Sequence, residues 1–339
     1  MNITRIKLSF APGLEIEFTD RDRAIEQVLE WSEKSTPYPV VVFGPEGCGK
    51  TSLLLQAVEI LREQGYSVIY FNPLRRRFEA EAGIESIKQL VLDRLRQAST
   101  EHEFARLIWL VIDVAVEALK HGKKKLAIIV DDAFHFMGIK EAAAIVKGLL
   151  ELIEHPEEKY EKIVAIAATS EGLSRTEIGR HRWAELTPMW NMSRKGFEEL
   201  YKRVPGSKPS FDEVWRLTGG NPDMLRRLYL SGWSVNAVIE KLIDLKKLDI
   251  FVSSLSSDER KWLAEVVEDP DTLYTRERIP LLHKLVELNL IVDEIPRRDR
   301  VFWIDELPPE RDHELGIGKL AAWQTPLHRE AVKKVLKKH

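Results

Sequence analysis

The chain has 339 residues, 44% hydrophobic and 31% charged, which is enough apolar material for about two or three packed domains and excludes a largely disordered protein. With 51 Lys and Arg against 54 Asp and Glu, the net charge is −3, so a globally basic nucleic-acid coat is excluded and only a local patch could contact DNA. Cys48 is the only cysteine, which excludes an intramolecular disulfide and a cysteine-based zinc site within one chain.

The sequence predicts no leader peptide and no membrane span. The first ten residues, MNITRIKLSF, lack the long apolar core and small-residue cleavage site of a secretory signal. The most apolar stretch, residues 104–119, is interrupted by three charged side chains and is too short to cross a bilayer. We therefore expect a cytoplasmic protein with no membrane partner.

Strands and helices alternate through the first 190 residues. A helix is predicted within residues 18–31, with Thr19 or Asp20 as its N-cap. Short apolar runs predict strands, and the segments between them predict helices. The strands are 40–43, 66–71, 126–132, 162–169 and 184–189, and the helices are 50–63, 84–97, 103–121 and 140–154. This alternation predicts an α/β fold, with a parallel sheet and helices on both of its faces.

The pattern changes after Trp190. Only helices are predicted at first, and the last third is mixed, with two helices followed by a β-hairpin whose turn is residues 296–300. The chain is thus divided into a core of residues 1–190, a helical lid of 191–245 and a C-terminal domain of 246–339. The helices are 193–202, 210–217, 222–245, 256–268 and 279–289.

The loop after the first predicted strand carries the clearest chemical signal. Residues 44–51, GPEGCGKT, fit the phosphate-binding pattern G-x-x-x-x-G-K-[ST] between a buried strand and a helix. Glycines let backbone N–H groups turn toward phosphate oxygens, and the helix N-terminus adds a partial positive charge. We expect Lys50 to reach the β- and γ-phosphates of ATP and the Thr51 hydroxyl to ligate Mg²⁺. The expected nucleotide-binding set is Gly44, Pro45, Glu46, Gly47, Cys48, Gly49, Lys50, Thr51 and Ser52.

The strand 126–132 ends in two acids. Asp131 fits a metal-binding role, because a carboxylate must hold the water shell of the metal, and Asp132 fits the water-activating position. Thr169 and Ser170 end the next strand and could position the attacking water. The alternative for the acids is a helix cap or a loop position, and for the Thr-Ser pair it is a cap of the following segment.

Other features admit both a functional and a structural interpretation. Arg180 and Arg182, with Arg175 before them, are candidates for an arginine finger, although a surface arginine is usually solvated. Cys48 inside the loop is a candidate redox switch, but a small filler side chain is the favoured interpretation.

Four segments of the chain resemble the archaeal ATPase family of P-loop proteins, within the STAND/AAA+-like group. They are FTDRDRAIEQVLEW ahead of the loop, GPEGCGKTSLL as the Walker A motif, IIVDDAFHF as the Walker B motif and LTGGNPDMLRRLY as the Gly-Gly-x-Pro motif of a lid. The resemblance covers about residues 15–245. Asp132 stands where the family usually has Glu, and this shorter carboxylate predicts slow hydrolysis.

The resemblance implies further roles. Arg226 or Arg227 would be a lid arginine facing the γ-phosphate, and the turn 219–222 would bring the lid helix to the nucleotide. The C-terminal region resembles a winged helix, and residues 315–332 are similar to a tail of some archaeal members.

The expected function is an ATP-binding, Mg²⁺-dependent ATPase that acts as a nucleotide switch. Its partner would be DNA, contacted by Arg297, Arg298 and Arg300 of the predicted turn, or a protein docked on the same domain, including a second copy of the chain. The alternatives are a DNA-dependent AAA+ motor or initiator-like protein and a small-molecule kinase.

Overall fold

The fold is that of a computed structural model. It describes residues 3–80, 85–98, 100–132, 134, 139–169, 178–179, 181–293, 295 and 297–339. The chain forms two compact units, each assembled from separate segments. The first unit contains Met1–Ile6, Asp22–Phe43 and Lys50–Pro188, and the second contains Lys7–Arg21, Gly44–Gly49 and Met189–His339. Division of the second unit into a lid and a C-terminal domain stays a prediction.

The described residues form the following strands and helices. The strands are β1 (Lys7–Ala11), β2 (Leu14–Glu17), β3 (Val40–Phe43), β4 (Ser67–Asn72), β5 (Arg77–Ala80), β6 (Lys125–Asp131), β7 (Lys162–Thr169), β8 (Glu185–Pro188), β9 (Ile291–Val292) and β10 (Ala322–Trp323). The helices are α1 (Asp22–Lys34), α2 (Lys50–Glu63), α3 (Glu85–Gln97), α4 (Glu101–Lys120), α5 (Ile139–Glu154), α6 (Arg194–Arg203), α7 (Phe211–Thr218), α8 (Pro222–Leu230), α9 (Val235–Lys246), α10 (Leu248–Ser254), α11 (Ser257–Glu268), α12 (Ile279–Glu287) and α13 (Pro326–Leu336).

The first unit is built on a sheet in the order β5-β4-β6-β7-β3-β8. β4, β6, β7, β3 and β8 run parallel to one another, which confirms the predicted parallel sheet. Every residue of β3 is buried, as are all but the first of β6 and β7, because a parallel sheet is covered on both faces. The edge strand β5 was not predicted; it pairs antiparallel with β4.

The second unit consists of the β1–β2 hairpin, the helices α6 to α13 and the short β9–β10 pair. One cluster of buried apolar side chains runs through it, including Phe10, Phe197, Leu225, Leu263 and Val332. Two helices of this unit begin at capping boxes. Ser210 and Ser256 each form a capping box with the glutamate three residues on.

Helix α1 begins later than its predicted caps. It starts at Asp22, and Asp20 and Arg21 both have positive φ, 62° and 65°, instead of the extended backbone of an N-cap. The Thr19 hydroxyl donates to the Glu17 carbonyl. The N-cap prediction for Thr19 and Asp20 is therefore wrong.

The predicted helix 222–245 is two helices, because a Schellman motif ends α8. Gly232 is left-handed at φ 62°, its N–H donates to Tyr229 O at 3.1 Å, and the N–H of Trp233 donates to Leu228 O at 2.7 Å. The backbone then turns, and α9 begins after Ser234, whose side chain caps it.

The predicted hairpin around residues 296–300 is also wrong. β9 pairs with β10, thirty residues further on, and residues 300–302 form a 3-10 turn in which the Asp299 side chain accepts the N–H of Val301. Trp303, which follows this turn, is buried in a small cluster with Trp190. Among the described residues, no helix combines the length and the apolar character needed to cross a membrane.

Candidate nucleotide-binding site

Predicted site residues lie at the carboxyl ends of adjacent strands in the first unit. β7 lies between β3 and β6, and the parallel register pairs Phe43 with Thr169 and Asp131 with Ala168. The strand that leads into the phosphate loop, the strand that ends in the acids and Thr169 therefore share one edge of the sheet. This edge is where open α/β sheets bind ligands.

The Asp131 carboxylate is fixed by three hydrogen bonds inside the first unit. Oδ2 accepts bonds from the Tyr70 hydroxyl and the Asn72 amide, both at 2.8 Å, and Oδ1 accepts one from Thr51 Oγ1 at 3.2 Å. Asp131 and Asn72 are fully buried. Oδ2 thus accepts hydrogen bonds from two donors, and Oδ1 faces the Thr51 hydroxyl in the first turn of α2.

Burial raises the pKa of Asp131 to about 6, and the neighbouring charge of Asp132 adds to the rise, against the three hydrogen bonds that lower it. Hydroxyl and carboxylate oxygens are the ligands that Mg²⁺ prefers, so Thr51 and Asp131 fit this metal on the chemistry of their oxygens.

Sequence reasoning assigned no role to Tyr70 or Asn72. Both lie on β4, the strand next to β6, and both point to the acid. A tyrosine and an asparagine two residues apart on a buried strand were the available signal, because alternate strand residues share a face.

The other predicted residues of this edge are placed as follows. Asp132 is half-buried at φ 51°, and its N–H donates to Ala168 O at 3.2 Å, beside the end of β7. Thr169 is buried, and Arg182 lies in an exposed turn. Ser170, Arg175 and Arg180 lie outside the described residues. Lys50, which is buried, Thr51 and Ser52 open α2.

The loop Gly44–Gly49 belongs to the second unit. Gly44 and Gly47 have φ of 150° and 77°, a backbone that L side chains rarely adopt. A Cβ at Gly44 would overlap the Met189 carbonyl oxygen, and one at Gly47 would collide with Asp223. The glycines therefore serve close packing of the loop as well as its turn. Pro45 O accepts the N–H of Cys48 at 3.2 Å.

A buried arginine that the sequence reasoning missed holds the end of this loop. Arg21 forms an ion pair with Asp305, and its other terminal nitrogen donates to Cys48 O at 2.7 Å and Trp190 O at 3.0 Å. Both members of the pair are almost completely buried. Arg21 lies in the segment that resembled the family motif ahead of the loop, but its left-handed backbone and distant partner have no local sequence signal.

Cys48 is fully buried, with its thiol 3.8 Å from the Met189 carbonyl oxygen. This burial favours the interpretation as a packed filler over a redox switch, because reactive cysteines are accessible to the oxidant.

Glu46 carries a charge at the centre of the loop. Its Oε2 is 2.8 Å from Lys246 Nζ. Burial raises the pKa of Glu46, but the charge and hydrogen bond of Lys246, with smaller contributions from His328 and Arg227, outweigh it and hold that pKa below its usual range. Burial also lowers the pKa of His328 to about 3, so this side chain is neutral at pH 7.

The two arginines predicted to lie in a lid, Arg226 and Arg227, have different surroundings. Arg226 Nε donates to Phe10 O of the β1–β2 hairpin at 2.7 Å. Arg227 Nε donates to Asp223 Oδ2 at 2.6 Å, and its charge acts on Glu46 of the loop. Arg226 also pairs with Asp223, at 3.6 Å, but the charge that acts on Glu46 is that of Arg227.

The fold and the motif geometry define a P-loop nucleotide-binding protein. A family model, the ATPase domain predominantly from Archaea, matches residues 18–228, which is more than half of the chain. The chain belongs to this family. Among curated proteins, none matches the sequence.

Solved structures resemble the chain at low identity. The Walker-type ATPase paby2304 of Pyrococcus abyssi is 15% identical, with 93% of this chain and 96% of that chain covered and a TM-score of 0.49. Cdc6p from Pyrobaculum aerophilum is 13% identical, with 98% and 99% covered and a TM-score of 0.39. The Aeropyrum pernix Orc1 protein, solved in complex with DNA, is 16% identical, with 95% and 93% covered and a TM-score of 0.39.

Proposed function

We propose that the protein binds ATP with Mg²⁺, hydrolyses it, and uses the bound nucleotide as a switch that its C-terminal half reads. The observation that carries this proposal is the 3.2 Å hydrogen bond from Thr51 Oγ1 to Asp131 Oδ1. It joins the hydroxyl of the phosphate-loop pattern to the acid that ends β6, in a chain of an ATPase family. A cytoplasmic location supplies both ATP and Mg²⁺.

Each residue of the site has a distinct role in this proposal. Lys50 holds the β- and γ-phosphates, and Thr51 with Asp131 holds Mg²⁺, which supplies charge neutralisation at the phosphates. Asp132 orients the attacking water, with Thr169 and Ser170 as polar helpers. Because Asp reaches less far than the usual Glu, we expect hydrolysis to be slow. Lys50, Thr51 and Asp131 bind nucleotide whether or not hydrolysis follows.

Arg227 is our candidate for the lid arginine that senses the γ-phosphate. Its charge already acts on Glu46 at the loop, whereas Arg226 is engaged with the carbonyl of Phe10. Arg227 follows Asn221, the residue that caps α8, by six residues, which is about one and two-thirds turns. This lid, with its Gly-Gly-Asn-Pro turn, supports placement in the STAND/AAA+-like group.

For the C-terminal region we favour protein docking over DNA. Arg298 is committed to structure, since its guanidinium donates to the carbonyls of Pro309, Gly318 and Lys319 at 2.7–2.9 Å. Lys284 of α12 is paired with Glu259 at 2.6 Å. Val301 is 73% exposed and Phe302 46%, which gives the 300–302 turn, directly after Arg300, an apolar surface.

Two variants, one at Asp131 and one at Asp132, test ATP binding and ATP hydrolysis separately. Asp132→Asn should leave ATP binding within about twofold and abolish turnover, because only the water-orienting group is lost. Asp131→Asn, the matched control one residue earlier, should weaken Mg²⁺-dependent binding itself. Titration of a non-hydrolysable ATP analogue and steady-state phosphate release measure the two quantities. If Asp132→Asn hydrolyses ATP normally, Asp132 does not orient the attacking water, and Thr169 or Ser170 becomes the candidate for that role.

The partner is tested by association with duplex DNA over a salt series, with ATP present. Protein docking predicts no salt-dependent binding at low salt, and mass measurement in ATP and ADP detects self-association. If DNA binds, neutralising Arg297 and Arg300 should lower the slope of log affinity against log salt by up to about two units, whereas Arg298→Met should alter stability instead. Such a slope change would favour DNA as the partner. DNA-stimulated ATP turnover would support a motor or initiator-like role.

A further inference from the structure

The backbone of Glu46 in the phosphate loop is held on both sides by side-chain amides from distant parts of the chain. Its N–H donates to Gln324 Oε1 at 2.7 Å, and its carbonyl accepts a bond from Asn221 Nδ2 at 2.9 Å. Gln324 lies 278 residues from Glu46, in the C-terminal segment that follows β10. A loop residue before the phosphate-binding glycine Gly49 is thus anchored by the end of the chain.

The two amides belong to one closed hydrogen-bond ring. Asn221 Nδ2 also donates to Asn191 Oδ1 at 2.8 Å, and Asn191 Nδ2 donates to the backbone carbonyl of Gln324 at 3.3 Å. We call these four residues, Glu46, Asn191, Asn221 and Gln324, the amide ring. All of them lie in the second unit.

The orientation of each amide in the ring is determined by backbone groups. Asn221 Oδ1 caps α8 by accepting the N–H of Met224, so its nitrogen must face the Glu46 carbonyl. Asn191 meets the Gln324 carbonyl and must donate to it, and Gln324 meets the Glu46 N–H and must accept it. The ring therefore has one consistent pattern of donors and acceptors.

Gln324 is itself rigidly placed. Its N–H donates to Leu290 O at 2.9 Å, and the next residue, Thr325, is the N-cap of α13. The side chains of Asn191, Asn221 and Gln324 are 4%, 0% and 2% exposed, so water competes little for their hydrogen bonds. Loss of one partner would leave a polar group of the ring unsatisfied.

We propose that Gln324 is a positioning residue for nucleotide binding: it holds the Glu46 N–H and thereby keeps the phosphate loop in its binding-competent conformation. This inference rests on the proposed function, since the loop must bind nucleotide for its positioning to matter. A loop released from Gln324 populates the competent conformation less, and the apparent affinity falls by that fraction. The C-terminal end of the chain is thereby coupled to nucleotide affinity.

The test replaces Gln324 by Met, which has a similar length but cannot hold the N–H. The dissociation constant of a non-hydrolysable ATP analogue and the KM for ATP should both rise about tenfold, while kcat stays within about twofold. Val332→Ala is the control, because Val332 is buried on α13 in the apolar cluster of the second unit. This control should lower thermal stability and leave KM unchanged.

A merely structural role gives the opposite result. Loss of folded protein lowers apparent kcat through the active fraction and leaves KM and the dissociation constant alone, and this outcome in Gln324→Met would overturn the proposal. Amide hydrogen exchange in the intact protein, measured over residues 44–49 and at the Glu46 N–H, provides a readout that needs no nucleotide. Exchange at Glu46 should be slow in the wild type, faster in Gln324→Met and slow again in Gln324→Glu, which keeps an oxygen acceptor.

Fast exchange at Glu46 in the wild type would refute the ring without any variant. The proposed function fails separately, if the wild-type protein binds no nucleotide or if Lys50→Ala binds as well as the wild type. In that case slow exchange in the wild type, lost in Gln324→Met, would still establish that Gln324 orders the loop. The two ideas therefore fail on different measurements.

Discussion

The Asp131 carboxylate in the first unit and the loop Gly44–Gly49 in the second are both fixed by hydrogen bonds, but their partners come from different distances along the chain. Tyr70, Asn72 and Thr51 lie 59 to 80 residues from Asp131 and all belong to β4 or α2, the elements beside its strand. The loop depends on partners such as Gln324, 278 residues away. The partners of Asp131 are therefore determined by the order of neighbouring elements in and beside the sheet. The partners of the loop are determined by long-range packing within the second unit.

The largest effect should come from breaking the buried ion pair on the loop side. Arg21→Met leaves Asp305 charged and buried, which should cost about 3–5 kcal/mol of the free energy of unfolding. The double variant Arg21→Met/Asp305→Leu should recover most of this loss, since apolar replacement of both partners removes the uncompensated charge. Urea unfolding measures both. Equal stability of the single variant and the wild type would show that the pair does not hold the loop.

On the acid side, Asp131→Asn should stabilise the protein that lacks nucleotide and Mg²⁺. The pKa of Asp131 is raised from 3.8 to about 6, so between these values the folded chain binds a proton that the unfolded chain does not. Its contribution to the free energy of unfolding is present below about pH 4 and lost as pH rises through 6. The loss is about 3 kcal/mol, from about two pKa units.

The measurement is the difference in unfolding free energy between wild type and Asp131→Asn in a metal chelator, from pH 4 to 7. This difference should favour the variant increasingly as pH rises, whereas Mg²⁺ with ATP should stabilise only the wild type. Tyr70→Phe is the matched control, because it removes one donor to Oδ2 and keeps the carboxylate. If the difference in unfolding free energy does not change with pH, Asp131 does not have the raised pKa of a buried carboxylate.

Lys50→Ala tests whether the chain binds ATP through the phosphate-loop pattern. Loss of a charge-assisted contact of about 1.5–3 kcal/mol should lower ATP affinity or turnover by one to two decades. Lys246→Met is the matched control, because it removes another largely buried ammonium, one paired with Glu46 of the loop, and should have a smaller effect. Unchanged binding and turnover in Lys50→Ala would refute the phosphate-loop interpretation.

The contrast between the Asp131 site and the loop Gly44–Gly49 also explains which parts of the fold could be predicted from the sequence. β3 and β7 were predicted to the residue, and Asp131 was placed at a strand end, because apolar runs and strand–helix alternation are local signals. Tyr70 was on a predicted strand and Asn72 directly followed it, but which neighbour β4 meets depends on sheet order, and a single sequence does not give it.

The predictions that were wrong lie in the second unit, although the edge strand β5, which was not predicted, lies in the first. The β9–β10 pair joins strands of two residues each across a long connection, and the 300–302 turn looked like a hairpin because alternating residues flanked it. Arg21 and Gln324 act through partners 284 and 278 residues away, and no periodicity encodes such contacts. The Gly232 turn was readable, since glycine after a helix favours a left-handed cap.

The smallest expected effect distinguishes the two lid arginines. Arg227→Gln should reduce ATP turnover about fivefold and reduce any ATP–ADP difference in protease sensitivity, because a partly exposed charge near the loop contributes about 1 kcal/mol. Arg226→Gln is the control, since this side chain binds the Phe10 carbonyl and should affect stability alone. Proteolysis in ATP and in ADP gives the comparison. If the nucleotide-dependent difference survives in both single variants and in the double, neither arginine senses the γ-phosphate, and a finger supplied by a neighbouring copy would then make turnover per chain rise with protein concentration.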